Sequence, residues 1–252
     1  MDNNCCCCGA AGKAGQKKNC VVCGEPIVYF PEERQLECLI CHKIKPANAA
    51  CEKGHFVCDD CHSGGGAEIL GLLQQSREKD PIALLCQVLR LDGVHLHGPE
   101  HHGIVPCVLI TAFHNCGGQL DYEKSLTEAW KRGQKIPGGS CGYLGVCGAA
   151  AGAGIFASIV SGATPLNKEK WAIPQRLSSE CLNAIAATGG PRCCKRTSRI
   201  AIECAAAFSE KEFGVVMPVS RPSCDYWAWN SECIRQDCPF FPRKKNDDKN
   251  DA

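Results

Sequence analysis

Between Cys20 and Cys61 seven cysteines and one of the two histidines stand in the order Cys20-x2-Cys23-x14-Cys38-x2-Cys41-x9-Cys51-x3-His55-x2-Cys58-x2-Cys61. Thiolate and imidazole are zinc ligands, and eight of them are what two tetrahedral ions need. The two-residue gap of each Cys-x-x-Cys knuckle lets both thiolates reach one ion. A stretch this short has too little core to fold alone, and bound metal would supply the stability. Two partitions are open. In one, Cys20, Cys23, Cys38 and Cys41 hold the first ion and Cys51, His55, Cys58 and Cys61 the second. In the other, the two sets interleave. Ile27–Phe30, a turn at Pro31–Arg34 and Gln35–Cys38 are expected to form the hairpin that carries the second knuckle.

A second concentration of chemistry is His95-Leu96-His97-Gly98-Pro99-Glu100-His101-His102-Gly103. Imidazole with carboxylate suits zinc, iron or nickel, or general acid–base work; the plain alternative is a solvated loop. The segment is expected as a loop just before a helix. His101 and His102 would then lie at the helix N-terminus, where the dipole disfavours protonation. Glu100, His101 and His102 are the candidates for completing a metal site or moving protons. Cys107 falls about a turn further on, and His114 and Cys116 near the far end read as structural.

The downstream cysteines fall into three sets. Cys141 and Cys147 lie among glycines that let backbone N–H groups approach sulfur or an anion. Cys147 would begin a helix, which favours the thiolate. Cys193 and Cys194 repeat that logic, with Arg192, Lys195 and Arg196 beside them. Adjacent cysteines seldom bond to each other. They present one thiolate each to a cluster, or act as a reactive and a resolving thiol. Cys224, Cys233 and Cys238 form the third set. Cys238 is followed by Pro239, a pattern of iron–sulfur ligation, and a third zinc site fits these residues equally. Cys86, Cys181 and Cys204 sit singly in helical patterns and read as core.

The elements that must position these residues are mainly helices. Apolar spacing predicts helices over Ala67–Glu78, Pro81–Leu91, Gly103–Asn115, Asp121–Arg132, Lys168–Ala187 and Lys195–Phe213, with Asp80-Pro81 as a start signal. The glycine-rich turn Pro137–Gly145 leads into a further helix of small residues. Ser63-Gly64-Gly65-Gly66 is a flexible joint. The expected organisation is a disordered, cysteine-containing leader over 1–18, a two-zinc module over 19–62, a helical Cys/His-rich domain over 67–242, and a disordered charged tail over 243–252.

Composition narrows the function. The 252 residues carry 23 cysteines and a formal net charge of +1. Near-neutral charge gives no electrostatic case for nucleic acid or an anionic membrane. The cysteine density means either a disulfide scaffold or metal. A chain of this size needs no disulfides to fold, no secretory signal is visible at its start, and the thiols come in chelating pairs. These features place it in the cytoplasm. Leu144–Ala163 holds no charged residue and is nearly long enough to span a bilayer, with Gly148-x-x-x-Gly152 as a packing motif. Its content of Gly, Ala and Ser favours a tightly packed helix within the protein.

Two resemblances add to this reading. Cys38-Leu-Ile-Cys41 … Cys51-Glu-Lys-Gly-His55-Phe-Val-Cys58-Asp-Asp-Cys61 resembles the first six ligands of a RING finger. No Cys-x-x-Cys pair follows Cys61, and Cys20 and Cys23 could take its place from upstream. The resemblance implies a structural RING- or ribbon-like fold and leaves ubiquitin-ligase activity without its second half. His97-Gly-Pro-Glu-His-His102, Pro137-Gly-Gly-Ser-Cys-Gly-Tyr-Leu-Gly-Val-Cys-Gly-Ala-Ala150, Ala163-Thr-Pro-Leu166, Gly190-Pro-Arg-Cys-Cys-Lys-Arg196 and Cys238-Pro-Phe-Phe241 resemble a cysteine-rich family catalogued as domain of unknown function 5714, over roughly residues 19–242. That family is associated with anaerobes and is sometimes joined to methyltransferase-like domains, which implies oxygen-sensitive chemistry. The Cys147-Gly-Ala-x-x-Gly152 element is also similar to proteins catalogued as redox-active with a Gly-Cys-Ala-x-x-Gly core.

The leading expectation is a metalloprotein with two zinc ions and an iron–sulfur cluster or reactive thiol site. It would serve redox chemistry or the transfer of sulfur or a metal, as an enzyme or with a metal or sulfur donor as partner. Cys141, Cys147, Cys193 and Cys194 would carry the cluster, with Cys224, Cys233 and Cys238 as further cofactor ligands. Cys193, Cys194, Glu100, His101 and His102 are the catalytic candidates. One alternative is a zinc-dependent adaptor for a protein or RNA. Another is a metal-dependent hydrolase or transferase centred on the histidine segment.

Overall fold

The computed structural model describes residues 20–62, 64 and 66–243. The expected leader with Cys5, Cys6, Cys7 and Cys8 lies outside the described residues, as does the tail beyond Arg243. The chain begins with a two-stranded antiparallel hairpin, β1 (Ile27–Glu37) and β2 (Ile44–Cys51). A short helix α1 (Asp59–His62) follows. The rest is helical: α2 (Gly66–Gln75), α3 (Pro81–Val88), α4 (Glu100–Asn115), α5 (Tyr122–Gly133), α6 (Ser140–Tyr143), α7 (Gly148–Ser161), α8 (Ala172–Thr188) and α9 (Cys194–Phe213). An irregular segment then runs to the end and contains one 3-10 turn, Arg235–Asp237. The architecture is therefore mainly α with a small N-terminal cysteine region, as the sequence implies.

The hairpin differs from expectation. Pro31–Arg34 is no turn but an irregularity within β1, between the pairs Tyr29↔Ala49 and Arg34↔Ala47. The reversal happens at the second knuckle instead. The Cys38 N–H donates to the Lys43 carbonyl at 3.0 Å, the His42 N–H donates to the Cys38 carbonyl at 2.9 Å, and His42 takes a left-handed φ of 57°. The knuckle is thus itself the reversal, closed by a bond from residue i+4 to residue i, and β1 pairs with β2 through to Cys51.

Helix α4 is the axis of the fold. Its residues from Glu100 to Phe113 are all buried, so it is enclosed on every side and packs against α2, α3, α5, α7 and α9. Small residues let its neighbours approach. A side chain at Gly133 of α5 would meet the Gly103 backbone, and one at Gly148 of α7 would meet the His102 ring. One at Gly152 would meet Pro106 and Val105, which explains the Gly148-x-x-x-Gly152 spacing. The uncharged stretch 144–163 is therefore largely α7, seated against α4 and α8. Among the described residues, no helix is long and apolar enough to cross a membrane.

Local signals fix the helix ends. Asp80 caps α3, its Oδ1 accepting from the N–H groups of Ile82 at 2.7 Å and Ala83 at 3.2 Å. Asp121 caps α5 in the same way through the Lys124 N–H. Helix α4 opens at Glu100, three residues before its expected start, so His101 and His102 form its first turn rather than a preceding loop.

The N-terminal module is seated on the helices by specific contacts. The Gly138 N–H donates to Asp59 Oδ2 at 2.7 Å. The Tyr143 hydroxyl of α6 donates to the Phe30 carbonyl at 2.9 Å, at the irregularity in β1. The Arg192 guanidinium lies 5.4 Å from the Tyr29 ring centroid.

Candidate metal centres

Two groups of four ligand atoms converge in the module. One is Cys20, Cys23, Cys51 and His55; the other is Cys38, Cys41, Cys58 and Cys61; within each, all ligand atoms lie within 4.8 Å of one another. The structure thus selects the interleaved partition. The physical reason is the hairpin. Ile27 pairs with Cys51, which brings the first knuckle beside Cys51, while eleven residues of β1 carry Cys38 to the opposite end. At about 3.3 Å per residue no single ion can reach both ends of that strand.

The spacing suits a tetrahedral ion. Cys23 Sγ and Cys51 Sγ are 3.8 Å apart, as are Cys41 Sγ and Cys58 Sγ. Metal–sulfur bonds of about 2.3 Å in a tetrahedron give sulfur–sulfur edges of about 3.8 Å. Backbone N–H groups point at the thiols: His55 N–H to Cys51 Sγ and Cys58 N–H to Cys38 Sγ, both at 3.3 Å. Burial opposes ionisation of Cys38, but the N–H groups of Cys58, Cys41 and Ile40 outweigh it and bring the thiol to about 6. Burial, with the crowding of Cys58, Cys41 and Cys38, pushes Cys61 up to about 12. A divalent cation removes that conflict, because it lets all four thiols ionise together.

A third convergence lies where the module meets the helices. His62, Glu100 and His95 bring one ligand atom each within the same 4.8 Å limit. His62 Nδ1 is 3.2 Å from Glu100 Oε2, and the His95 N–H donates to Glu100 Oε1 at 2.9 Å. Glu100 is 1% exposed. Burial opposes its charge, but hydrogen bonds from His62 and His95 and the nearby His101 ring prevail, so the carboxyl is held well below the usual range. His62 and His95 line a cleft of about 470 Å³ between module and helices, together with His97, His102, Cys141, Arg192 and Cys194.

The two histidines singled out at the start of α4 are occupied structurally. His101 is fully enclosed, with Nδ1 3.1 Å from the Gly98 carbonyl oxygen and Nε2 3.1 Å from Lys195 Nζ. Burial, then Lys195, holds it well below its usual value and neutral. His102 Nδ1 is 3.0 Å from the Ile136 carbonyl oxygen, and burial lowers this ring also. Lys195 is 1% exposed and also donates to the His95 carbonyl at 2.6 Å; burial lowers it to about 8.

The structure separates the four downstream cysteines expected to act together. Cys141 and Cys194 face the cleft. Cys147 is the N-cap of α7 and packs against the main core. Cys193 faces the other way, into a small chamber that it lines with Cys224, Cys233 and Cys238. Burial pushes Cys193 and Cys224 up, and Cys194 to about 12, so the position of Cys193 and Cys194 at the start of α9 does not yield free thiolates.

The chamber walls are Lys195, Arg196, Arg199, Tyr226, Trp227, Phe240 and Phe241 with Asn230. Its sulfurs receive hydrogen bonds: Tyr226 N–H to Cys224 at 3.4 Å, Arg235 N–H to Cys233 at 3.3 Å and Asn230 Nδ2 to Cys193 at 3.6 Å. Arg196 and Arg199 are 4% and 3% exposed, and the Nε of each is buried with no hydrogen-bond partner. Unlike the module sulfurs, these four are not drawn within 4.8 Å of one another.

His62, Arg199 and Asn230 were not legible as site residues. His62 directly follows the last knuckle cysteine, which was a usable signal; nothing in the sequence marks Asn230. A family of unknown function (DUF5714) matches residues 69–241, and the chain belongs to that family. The matched segment includes His95, Glu100 and all four chamber cysteines, while His62 and the module precede it. No curated protein and no solved structure matches the chain.

Proposed function

We propose that this member of the family is a redox metalloprotein: the N-terminal module holds two structural zinc ions, and Cys193, Cys224, Cys233 and Cys238 hold an iron–sulfur cluster. The observation that carries the reading is the chamber. It offers four thiols, no carboxylate or imidazole, and two buried guanidinium N–H groups that lack acceptors. Four cysteines are the ligand set of a [4Fe–4S] or [2Fe–2S] centre, and hydrogen bonds to its sulfurs with enclosure tune the potential. A cluster places inorganic sulfide and iron between its thiolates and so spreads them beyond the edge of a single tetrahedral ion. Its sulfides would accept from Arg196 and Arg199, whose charge offsets the negative charge of the cluster.

The reading makes the cleft the reaction compartment and the cluster its electron relay. Lys195 ties the two, since it lines the chamber and its Nζ reaches the His95 carbonyl on the cleft side. The test is metal and sulfide analysis of protein purified without oxygen. The expected result is a brown protein with zinc, iron and acid-labile sulfide. Cys238→Ser should lose iron and sulfide while keeping zinc; Cys204→Ser, outside the chamber, should keep all three. Zinc alone, even after anaerobic reconstitution with iron and sulfide, would overturn the cluster.

A further inference from the structure

We propose that His62, His95 and Glu100 form a third metal site, for a divalent first-row transition ion, on the floor of the cleft. Two imidazoles and one carboxylate are a ligand set for zinc or ferrous iron. The three ligand atoms already lie within 4.8 Å of one another, and the two rings are 4.3 Å apart and tilted at 55° rather than stacked. His95 Nδ1 is the second signal. It is buried, lies 3.5 Å from Glu100 Oε1, and makes no hydrogen bond. A metal ion there would give a close partner to a buried nitrogen whose ion-pair contact with Glu100 Oε1 is 3.5 Å long.

The surroundings favour an ion over a simple ion pair. The His95 N–H fixes Glu100 Oε1, leaving Oε2 turned toward His62, the kind of outer hydrogen bond that orients a ligating carboxylate. Gly98 is needed for this, because any side chain there would strike the Glu100 carboxylate. His62 and His95 both border the cleft. Three protein ligands leave an open coordination position on that side, as in catalytic rather than structural sites. Water or a small substrate with a donor atom would complete the shell, beside Cys141, Cys194 and Arg192.

His62 stands next to Cys61 on α1, so the module's second ion holds the helix that supplies this ligand. The module then has a purpose beyond its own folding: it delivers one ligand of three. This inference is independent of the cluster, since none of its residues touches the chamber.

Full-length protein brought to two zinc ions per chain, which fill the module alone, is titrated with Co²⁺ to test it, read by visible d–d absorption and by cobalt retained on gel filtration. Wild type and Cys238→Ser should both take up one cobalt without new thiolate charge-transfer absorption. His62→Ala, His95→Ala and Glu100→Gln should each bind it at least tenfold more weakly, and His114→Ala should bind it as wild type does. Should His95→Ala or Glu100→Gln fail to fold, His62→Ala decides, because its ring sits at the module's edge. No uptake by wild type, uptake with thiolate charge-transfer bands, or equal uptake by His62→Ala would overturn the site.

Discussion

Cys193 and Cys194 are neighbours in the chain and face different compartments. Cys193 Sγ accepts from Asn230 Nδ2 at 3.6 Å in the four-cysteine chamber, while Cys194 lines the cleft with His95 and Arg192. The cause is the start of α9. Cys193 is its N-cap, in extended backbone, and Cys194 is its first helical residue, so the two side chains leave the axis on different sides. Cys193→Ser should therefore reduce iron and sulfide per chain, whereas Cys194→Ser should leave both at the wild-type level. Equal loss from both variants, by iron and sulfide assay, would contradict the separation.

Metal removal should act on the module first. Strong chelation should release two zinc ions per chain, and Cys58→Ser should retain one. Structural zinc in small modules contributes on the order of 10 kcal/mol, far more than a short hairpin supplies. Limited proteolysis of the chelated protein should cut within 20–61 and spare the helices. Protection of the module after chelation would show that metal is not what holds it.

Tyr143→Phe should loosen the seat of the module without unfolding either part. The variant loses hydroxyl bonds to the Phe30 and Asn48 carbonyls. The cost is about 0.5–1.5 kcal/mol for the stronger bond. Faster amide exchange at Phe30–Glu33, with the helices unchanged, is the expected signature.

Two glycines to alanine should go in opposite directions. Gly148→Ala drives a methyl into the His102 ring, and overpacking of this kind costs about 1–3 kcal/mol. Gly71→Ala meets nothing within 4 Å inside α2 and should stabilise by about 0.5–1 kcal/mol. Denaturant midpoints of the two variants check both signs.

Asp80→Ala should cost about 2 kcal/mol. The variant loses the cap of α3 and also the bond from the Ser220 N–H to Asp80 Oδ2 at 2.9 Å, which ties the C-terminal segment to the helix start. Chemical denaturation measures the difference directly.

Spacing and residue type alone singled out the eight thiol and imidazole groups of residues 20–61 that could hold metal, because a knuckle is a local device: two thiols separated by two residues can chelate whatever surrounds them. Helix positions were legible for a similar reason, since apolar periodicity and the Asp80-Pro81 signal act within a few residues. The partition of ligands was not legible, because it depends on strand register. Ile27 opposite Cys51 is a long-range choice that the ligand spacing permits but does not force. Nor could the chain order show that Cys193 belongs with Cys224, Cys233 and Cys238, or that His62 meets His95 and Glu100. Those groupings arise when α9 packs against the C-terminal segment and when the module settles on α4. Sequence supplied the donors; tertiary packing decided which of them share a space, because ligand convergence depends on distances between segments that only the packed fold brings together.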